Sequence, residues 1–446
     1  MKDLVKKDLR YNWHPYTQMK DCERTAPVLI DSSKGMKLYD AKGNFYYDTI
    51  SSWWCNVHGH NHPKIKKAIK KQIDLLDHVL FAGFTHAPAV LLAEKLVSIA
   101  PEGLRKVFYS DNGSTAVETA LKMSFQYWQN TGKLEKTKFI ALDHGYHGDT
   151  IGAMSVSGVG LFNSVFTPLF FKSFKARSPY CYRCPAGKSA SRCDIDCLSS
   201  LEKILSRESN RTAAFILEPL VMAAGGMIIY PKVYLERAAM LTGKYGVHLI
   251  LDEVATGFGR TGKMFACEYA NVKPDFICLS KGITSGSLPL GVTMTTERIY
   301  NAFYADYNKK KTFYHGHTYA ANPIACSAAL ASLEIFEEEG TLNRLKEFVP
   351  LFHKGLERFR SLSIVGDVRY IGMIGAMELV KDRKKKEPFS FRDRVGLEVY
   401  GRGLKRHLIL RPLGNIIYLF LPLCARPHEL DYILNAAYDI LKSLSK

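Results

Sequence analysis

Five short apolar runs, at 106–109, 139–141, 213–217, 247–251 and 275–279, are separated by stretches of helical periodicity. Parallel strands need crossover connections, so this alternation predicts an α/β fold with a mainly parallel, doubly wound sheet. Helices are expected over 63–78, 87–100 and 114–129. Before them, residues 28–47 alternate β-like runs with turn signals such as Lys34-Gly35 and Ala41-Lys42-Gly43-Asn44, the pattern of a small antiparallel meander. After about residue 334 a charged helical stretch to 359 leads into strands near 365–369, 373–379 and 416–421, which reads as a smaller α+β unit. The expected organisation is therefore an N-terminal segment of a small domain (1–62), a large domain (63–333) and a C-terminal small domain (334–446).

In open α/β sheets, ligands sit at the carboxyl ends of the strands. Three runs end in chemically unusual residues. The first passes into Asp111-Asn112-Gly113-Ser114-Thr115, where a turn opens a helix whose buried stripe is expected at Val117, Leu121, Phe125 and Trp128. Unpaired amides at such a helix start, with the Ser114 and Thr115 hydroxyls, suit an anion; an ordinary serine cap is the plainer alternative. The second run delivers Asp252 and Glu253, and a carboxylate there is costly unless it meets a cation or a proton donor. Just downstream, Gly257-Phe-Gly-Arg-Thr-Gly-Lys263 fits G-x-x-x-x-G-K. Met264 follows, however, where a nucleotide-binding loop needs a hydroxyl for magnesium, and two acids nearby would repel a triphosphate. An ATPase is rejected. The third run ends in Ser280-Lys281-Gly282. A desolvated lysine loses basicity and becomes a nucleophile toward carbonyls.

An anion cup, an acid and a nucleophilic lysine at separate strand ends suit pyridoxal 5′-phosphate. The lysine would hold its aldehyde carbon, the acid its ring nitrogen and the helix start its phosphate. The run 251–262, the Ser-Lys-Gly block and His315-Gly-His-Thr-Tyr-Ala-Ala-Asn-Pro323 resemble the class III, fold-type I aminotransferases. Further runs are similar to the branch of that family that aminates 8-amino-7-oxononanoate in biotin synthesis. They are Trp13-His-Pro-Tyr-Thr17, Ser51-Ser-Trp-Trp54 with His58-Gly-His60, Asp111–Glu118, His144-Gly-Tyr-His-Gly-Asp-Thr150 and Leu410-Arg-Pro-Leu-Gly-Asn-Ile-Ile-Tyr418. The matches extend from residue 13 to about 422.

The resemblance implies a homodimer with shared active sites. In it, Lys281 is the covalent anchor and proton carrier, Asp252 pairs with the ring nitrogen and Tyr146 lies against the ring. Gly113 and Ser114 hold the phosphate together with Thr318 of the partner subunit. It also implies that Tyr16, Trp53, Trp54, Tyr146, Asp149, Gly316 and Tyr418 line the substrate pocket, with Tyr16 also counted as catalytic, and that Arg411 clamps a carboxylate. One branch takes lysine as amino donor. The large aromatics Trp53, Trp54 and Tyr418 fit S-adenosylmethionine better, since they offer contacts to an adenosine ring. Another class III omega-aminotransferase is a further alternative. His317 departs from the proline that some relatives carry before the threonine.

Composition sets bounds on this reading. The 446 residues are 47% hydrophobic, enough for a large core and too apolar for a disordered chain. The longest apolar stretch, near 416–421, is far short of the roughly 20 residues a membrane helix needs. No apolar leader is seen at the N-terminus, and ten dilute cysteines are expected to be reduced, so a cytoplasmic location is expected. The net charge of +18 gathers in 64–71, 309–311 and 383–386 without interleaved aromatics. It is read as solvated surface, not as a nucleic-acid site, with Ile65, Ala68, Ile69 and Ile73 on the apolar side of the first cluster.

Two decoys stay open. His58, His60 and His62, with His144, His147, His315 and His317, could serve a metal-dependent hydrolase. That reading leaves Lys281 unused and offers only Asp252 and Asp149 as carboxylate ligands, so no metal is assigned to the site. Cys181, Cys184, Cys193 and Cys197 have spacing that could hold structural zinc. The remaining cysteines (Cys22, Cys55, Cys267, Cys278, Cys326, Cys424) are expected to be small core groups.

Overall fold

A computed structural model describes residues 2–158, 160–189 and 192–445. Near the N-terminus β1 (Ile30–Lys34), β2 (Lys37–Asp40) and β3 (Phe45–Tyr47) form the antiparallel meander that the turn signals predict. The large sheet contains β4 (Leu104–Ser110), β5 (Lys138–Leu142), β6 (Phe174–Ala176) and β7 (Thr212–Leu217). A small hairpin of β8 (Val221–Met222) and β9 (Ile228–Ile229) intervenes, and then β10 (His248–Asp252), β11 (Phe276–Leu279) and β12 (Gly291–Thr296) complete the sheet. Its order is β4-β12-β11-β10-β7-β5-β6.

All five predicted runs are strands of this sheet. Every residue of β7, β10 and β11 is buried, because helices cover both faces of a parallel sheet. β6 and β12 were not anticipated. β12 runs antiparallel to both β11 and β4, since residues 280–290 are too few for a helical crossover and the chain must turn back.

The helix Gly113–Asn130 packs on the sheet through Ala116, Val117, Leu121 and Trp128. Phe125, expected in that stripe, is instead 39% exposed. Ser124 takes the inward position: its hydroxyl lies 2.9 Å from His248 Nδ1, a contact whose donor depends on the His tautomer. The helix expected over 63–78 is shorter, Pro63–Ile73, with Ile65 buried and Ile73 exposed at its end.

After the large sheet, the single charged stretch resolves into two helices, Pro323–Glu338 and Thr341–Glu357, broken at Gly340 with φ of 55°. Then β13 (Val365–Ile371), β14 (Ile374–Asp382), β15 (Glu387–Pro388) and β16 (Ile416–Phe420) form an antiparallel sheet centred on β14. The N-terminal segment is stitched to this part of the chain. Phe420 N donates to Thr49 O and Leu423 N to Val57 O, each at 2.8 Å. No helix among the described residues is long and apolar enough to cross a membrane.

Candidate active site

The carboxyl ends of β4, β5, β7, β10 and β11 meet at a cavity of about 510 Å³. Gly113, Ser114, Tyr146, Asp149, Asp252 and Lys281 all line it, together with Trp54.

At the end of β4 the chain enters the helix through a capping box. Asn112 Oδ1 accepts from Thr115 N at 3.0 Å, and Thr115 Oγ1 accepts from Asn112 N at 3.0 Å. Ala116 N bonds the Asn112 carbonyl at 3.0 Å. Of the first amides of the helix, this leaves those of Gly113 and Ser114 for an anion. The cup is held tightly. Ser114 Oγ lies 2.8 Å from Thr150 Oγ1, which in turn donates to Glu118 Oε1 at 2.6 Å. A Cβ at Gly113 would stand 2.6 Å from the Val254 side chain, so glycine permits the approach of this turn to β10.

At the end of β10, Asp252 is buried. Its Oδ2 lies 2.7 Å from Nδ1 of His147 and its Oδ1 accepts Val254 N at 3.0 Å. Beyond β7 stands Glu218, also buried, whose two oxygens accept Tyr146 N at 3.0 Å and Ala223 N at 2.9 Å. Burial, and then the charge of Asp252, push its carboxyl up to about 8. Lys281 follows β11 with φ of 44°, in the left-handed region. Its ammonium lies 4.6 Å from the centre of the Trp54 ring. Burial lowers its pKa, while Asp252 and Glu218 pull the other way. The donor set is thus an amine of reduced basicity, a buried acid–imidazole pair and an anion cup.

Tyr16 links this cavity to a larger one of about 790 Å³, which both Tyr16 and Arg411 line. Its hydroxyl donates to Asp149 Oδ2 at 2.5 Å and lies 3.2 Å from that of Tyr146. Burial and the Asp149 bond push the Tyr16 phenol up to about 12. Arg411 Nη2 donates to Tyr16 O at 3.2 Å, and its guanidinium stands 5.1 Å from the Trp53 ring centre. Trp53 meets Tyr16 edge-on at 5.5 Å.

The turn carrying both tryptophans is unusual. Ser51, Ser52, Trp53 and Trp54 have φ of 51°, 46°, 70° and 75°, four consecutive left-handed residues without a glycine. Each costs about 1–2 kcal/mol relative to right-handed helix. Trp54 Nε1 donates to Tyr418 Oη at 3.3 Å. Tyr418 is fully buried behind that indole and lines neither cavity, so here it braces Trp54. Gly316 and Thr318 are exposed and line neither cavity of their own chain.

The histidine decoys are engaged separately. His58 Nε2 lies 2.9 Å from the Ser332 carbonyl, His60 is 2.8 Å from Asp48 and His62 is 3.0 Å from Glu339. His144 pairs with Asp143 and His317 with Asp111, each at 2.8 Å, while His315 lies 3.2 Å from Thr119 Oγ1. Among the described residues, no group of three or more His, Cys, Asp or Glu is placed to hold a metal ion. Cys181, Cys184, Cys193 and Cys197 are free thiols, and burial, then its neighbours, push Cys197 up to about 12. Cys22, Cys267, Cys278 and Cys326 are buried as expected, whereas Cys55 and Cys424 are only half-buried.

Glu218 and His147 were not singled out for this site from sequence. An acid directly after the apolar run 213–217 was a usable signal for Glu218. His147 was counted only among possible metal ligands.

This set of strand-end groups on a mixed, mainly parallel sheet defines a member of a known class: the chain belongs to the class III aminotransferases. The family described as aminotransferase class-III matches residues 19–441. Among curated proteins, the chain is 47% identical to adenosylmethionine-8-amino-7-oxononanoate aminotransferase from Geobacter sulfurreducens, over 96% of this chain and 95% of that one. Among solved structures, the enzyme of that same name from Methanocaldococcus jannaschii superposes with a TM-score of 0.95, at 43% identity over 99% of both chains. An (S)-enantioselective omega-transaminase from Thermomicrobium roseum also superposes at 0.95, but at 31% identity, over 100% of this chain and 99% of that one.

Proposed function

We propose that this chain binds pyridoxal 5′-phosphate and transfers an amino group from S-adenosylmethionine to 8-amino-7-oxononanoate, giving 7,8-diaminononanoate for biotin synthesis. The observation that carries this reading is the meeting of Lys281, the Asp252–His147 pair and the Gly113–Ser114 helix start at one cavity. The names of the more identical relatives support the choice of substrates.

When bound, the cofactor supplies an aldehyde that condenses with amines and a ring that takes up electrons from the bond broken at the amine-bearing carbon. The protein does the rest. The amides of Gly113 and Ser114 hold the phosphate. Asp252, steadied by His147, favours a proton on the ring nitrogen. Lys281 Nζ would hold the aldehyde carbon, and the same amine would accept and return the proton at the amine-bearing carbon. Tyr146 and Trp54 shape the walls, and the Tyr16–Asp149 pair offers a negative partner to an incoming amine. Arg411 faces substrate carboxylates, and the Trp53 and Trp54 faces suit a sulfonium cation as well as an apolar chain.

Two copies of the chain are proposed to share their sites. Thr318 and Gly316 are exposed and stand away from their own cavity. Leu75, Leu80, Phe84 and Tyr319 are exposed apolar groups that a second copy would cover. The free thiols fit a reducing cytoplasm.

The test is single-turnover spectroscopy of loaded enzyme mixed separately with S-adenosylmethionine, lysine and a simple omega-amine, followed by 8-amino-7-oxononanoate. Discharge by S-adenosylmethionine alone is expected, and discharge by lysine or the omega-amine instead would overturn the donor. Borohydride treatment should leave the pyridoxyl group on Lys281, and Lys281→Ala should lose both that adduct and turnover.

A further inference from the structure

The glycine-rich run that imitates a nucleotide-binding loop cradles no phosphate, and its arginine points to another use. Arg260 is 1% exposed, and among the described residues no carboxylate pairs with it. A buried charge without an ionic partner is expensive unless its donors are satisfied. Four of its five N–H groups are spent on main-chain and hydroxyl oxygens, while Nε has no partner among the described residues. Nη1 donates to Ser51 Oγ at 3.1 Å and Leu421 O at 3.0 Å, while Nη2 donates to Trp54 O at 3.0 Å and Asn56 O at 2.7 Å. The guanidinium also stacks 4.9 Å from the centre of the Phe420 ring.

These acceptors belong to the left-handed turn Ser51–Trp54, to Asn56 two residues beyond it, and to the chain just after β16. Beside its own backbone bonds and the Trp54–Tyr418 contact, the turn is anchored through the Asp48 and Ser51 side chains. Asp48 takes Ser52 N at 2.8 Å and Ser52 Oγ at 2.7 Å, and Ser51 Oγ donates to Phe420 O at 2.5 Å. The arginine is itself fixed. Gly259 and Gly262 have φ of 81° and 99°, Arg260 O accepts Met373 N at 3.0 Å, and a Cβ at Gly372 would collide with that same carbonyl.

We propose that Arg260 is a positioning residue of the active site: its bonds to Ser51 Oγ and Trp54 O, tied through the same guanidinium to Asn56 O and Leu421 O, hold the left-handed turn that lays the Trp54 indole beside the Lys281 ammonium. A planar fork with several N–H groups can span four acceptors, which an ammonium at a single point cannot. Losing the fork lets the turn relax toward ordinary backbone angles, and Trp54 leaves the wall of the cavity. The inference rests on Lys281 being the reacting amine.

The test uses Arg260→Lys and Arg260→Met in the full-length enzyme, read by hydrogen exchange and by kinetics per cofactor-loaded site. The amides of Trp54, Cys55 and Asn56, bonded to Ile50 O and Ser51 O in the folded chain, should exchange at least tenfold faster while those of β10 and β11 keep their protection. kcat should fall at least tenfold in both variants. Adding Ser52→Asn to Arg260→Lys, an exposed position where asparagine tolerates left-handed angles and keeps a donor toward Asp48, should restore kcat several-fold. Native exchange at 54–56, faster exchange there with unchanged kcat and KM, or loss of protection throughout β10 and β11 in both variants would each overturn the proposal. Failure of the functional reading itself would look different: wild-type enzyme would carry no borohydride adduct at Lys281, whatever the exchange of the turn.

Discussion

His147 and Asp252 form a buried pair, Nδ1 to Oδ2 at 2.7 Å, from the loop after β5 and the end of β10. Removing His147 leaves the buried Asp252 with the Val254 amide, at 3.0 Å, as its remaining hydrogen-bond donor among the described residues. His147→Ala is expected to cost about 1–3 kcal/mol of stability through the lost hydrogen bond to a buried carboxylate, and Asp252→Ala to lower kcat by at least about 10²-fold. Denaturant titration and steady-state kinetics check the two effects. A His147→Ala protein as stable and as active as wild type would mean that the imidazole only fills space.

Glu218 makes stability depend on pH in a direction opposite to most carboxylates. Its folded pKa is raised to about 8 by burial and by the Asp252 charge, above its ordinary value of 4.5. Below about 4.5 both folded and unfolded chains hold the proton. Between there and about 8 the unfolded chain has lost it while the folded one keeps it, so stability falls as pH rises, by at most about 1.4 kcal/mol per pH unit from this group. Apo-protein unfolded in denaturant at pH 5, 6, 7 and 8 should show that slope, and Glu218→Gln should flatten it. An unchanged slope in the variant would assign it to other groups.

Tyr418 acts through Trp54. Its hydroxyl accepts the indole N–H at 3.3 Å, and its ring meets the indole edge-on at 6.2 Å. Tyr418→Phe leaves a buried indole N–H without its acceptor, a loss of about 1–3 kcal/mol in stability. Because the effect passes through a wall both substrates share, the two half-reactions should slow by similar factors. A loss confined to the S-adenosylmethionine half-reaction would instead mean that the phenol reaches the donor directly.

Residues with an abrupt change of character beside them were legible from sequence. Lys281 and Asp252 each end an uninterrupted apolar run, and Gly113 with Ser114 opens a helix after one, so strand ends and chemistry were read together. What stayed hidden has partners that leave no pattern. Glu218 accepts from two backbone amides and Arg260 donates mostly to backbone carbonyls, and neither kind of partner is encoded in residue type. The left-handed turn at Trp53 and Trp54 contains no glycine to announce it. Phe125 was assigned inward by apolar character alone, whereas Ser124 fits there because His248 of β10 offers it a hydrogen-bonding partner.

Arg411 lines the larger cavity beside Tyr16 with only part of its hydrogen-bonding capacity used. One N–H goes to the Tyr16 carbonyl at 3.2 Å, the cation rests on Trp53, and no carboxylate among the described residues pairs with it. A substrate carboxylate would find a planar fork already oriented by these two contacts, and a charge-assisted bond of this kind is worth about 1.5–3 kcal/mol. Arg411→Ala should therefore raise KM for 8-amino-7-oxononanoate about 10- to 100-fold, the equivalent of that energy. Cofactor retention should hardly change, because the Gly113–Ser114 cup is built on a different strand end. Arg411→Lys should recover only part of the loss, since an ammonium keeps the charge but loses the fork and the flat stacking on Trp53. Steady-state kinetics alongside equilibrium dialysis of pyridoxal 5′-phosphate separates the two effects. Equal losses of substrate and cofactor affinity would show that the arginine supports the architecture of the site and does not hold the carboxylate.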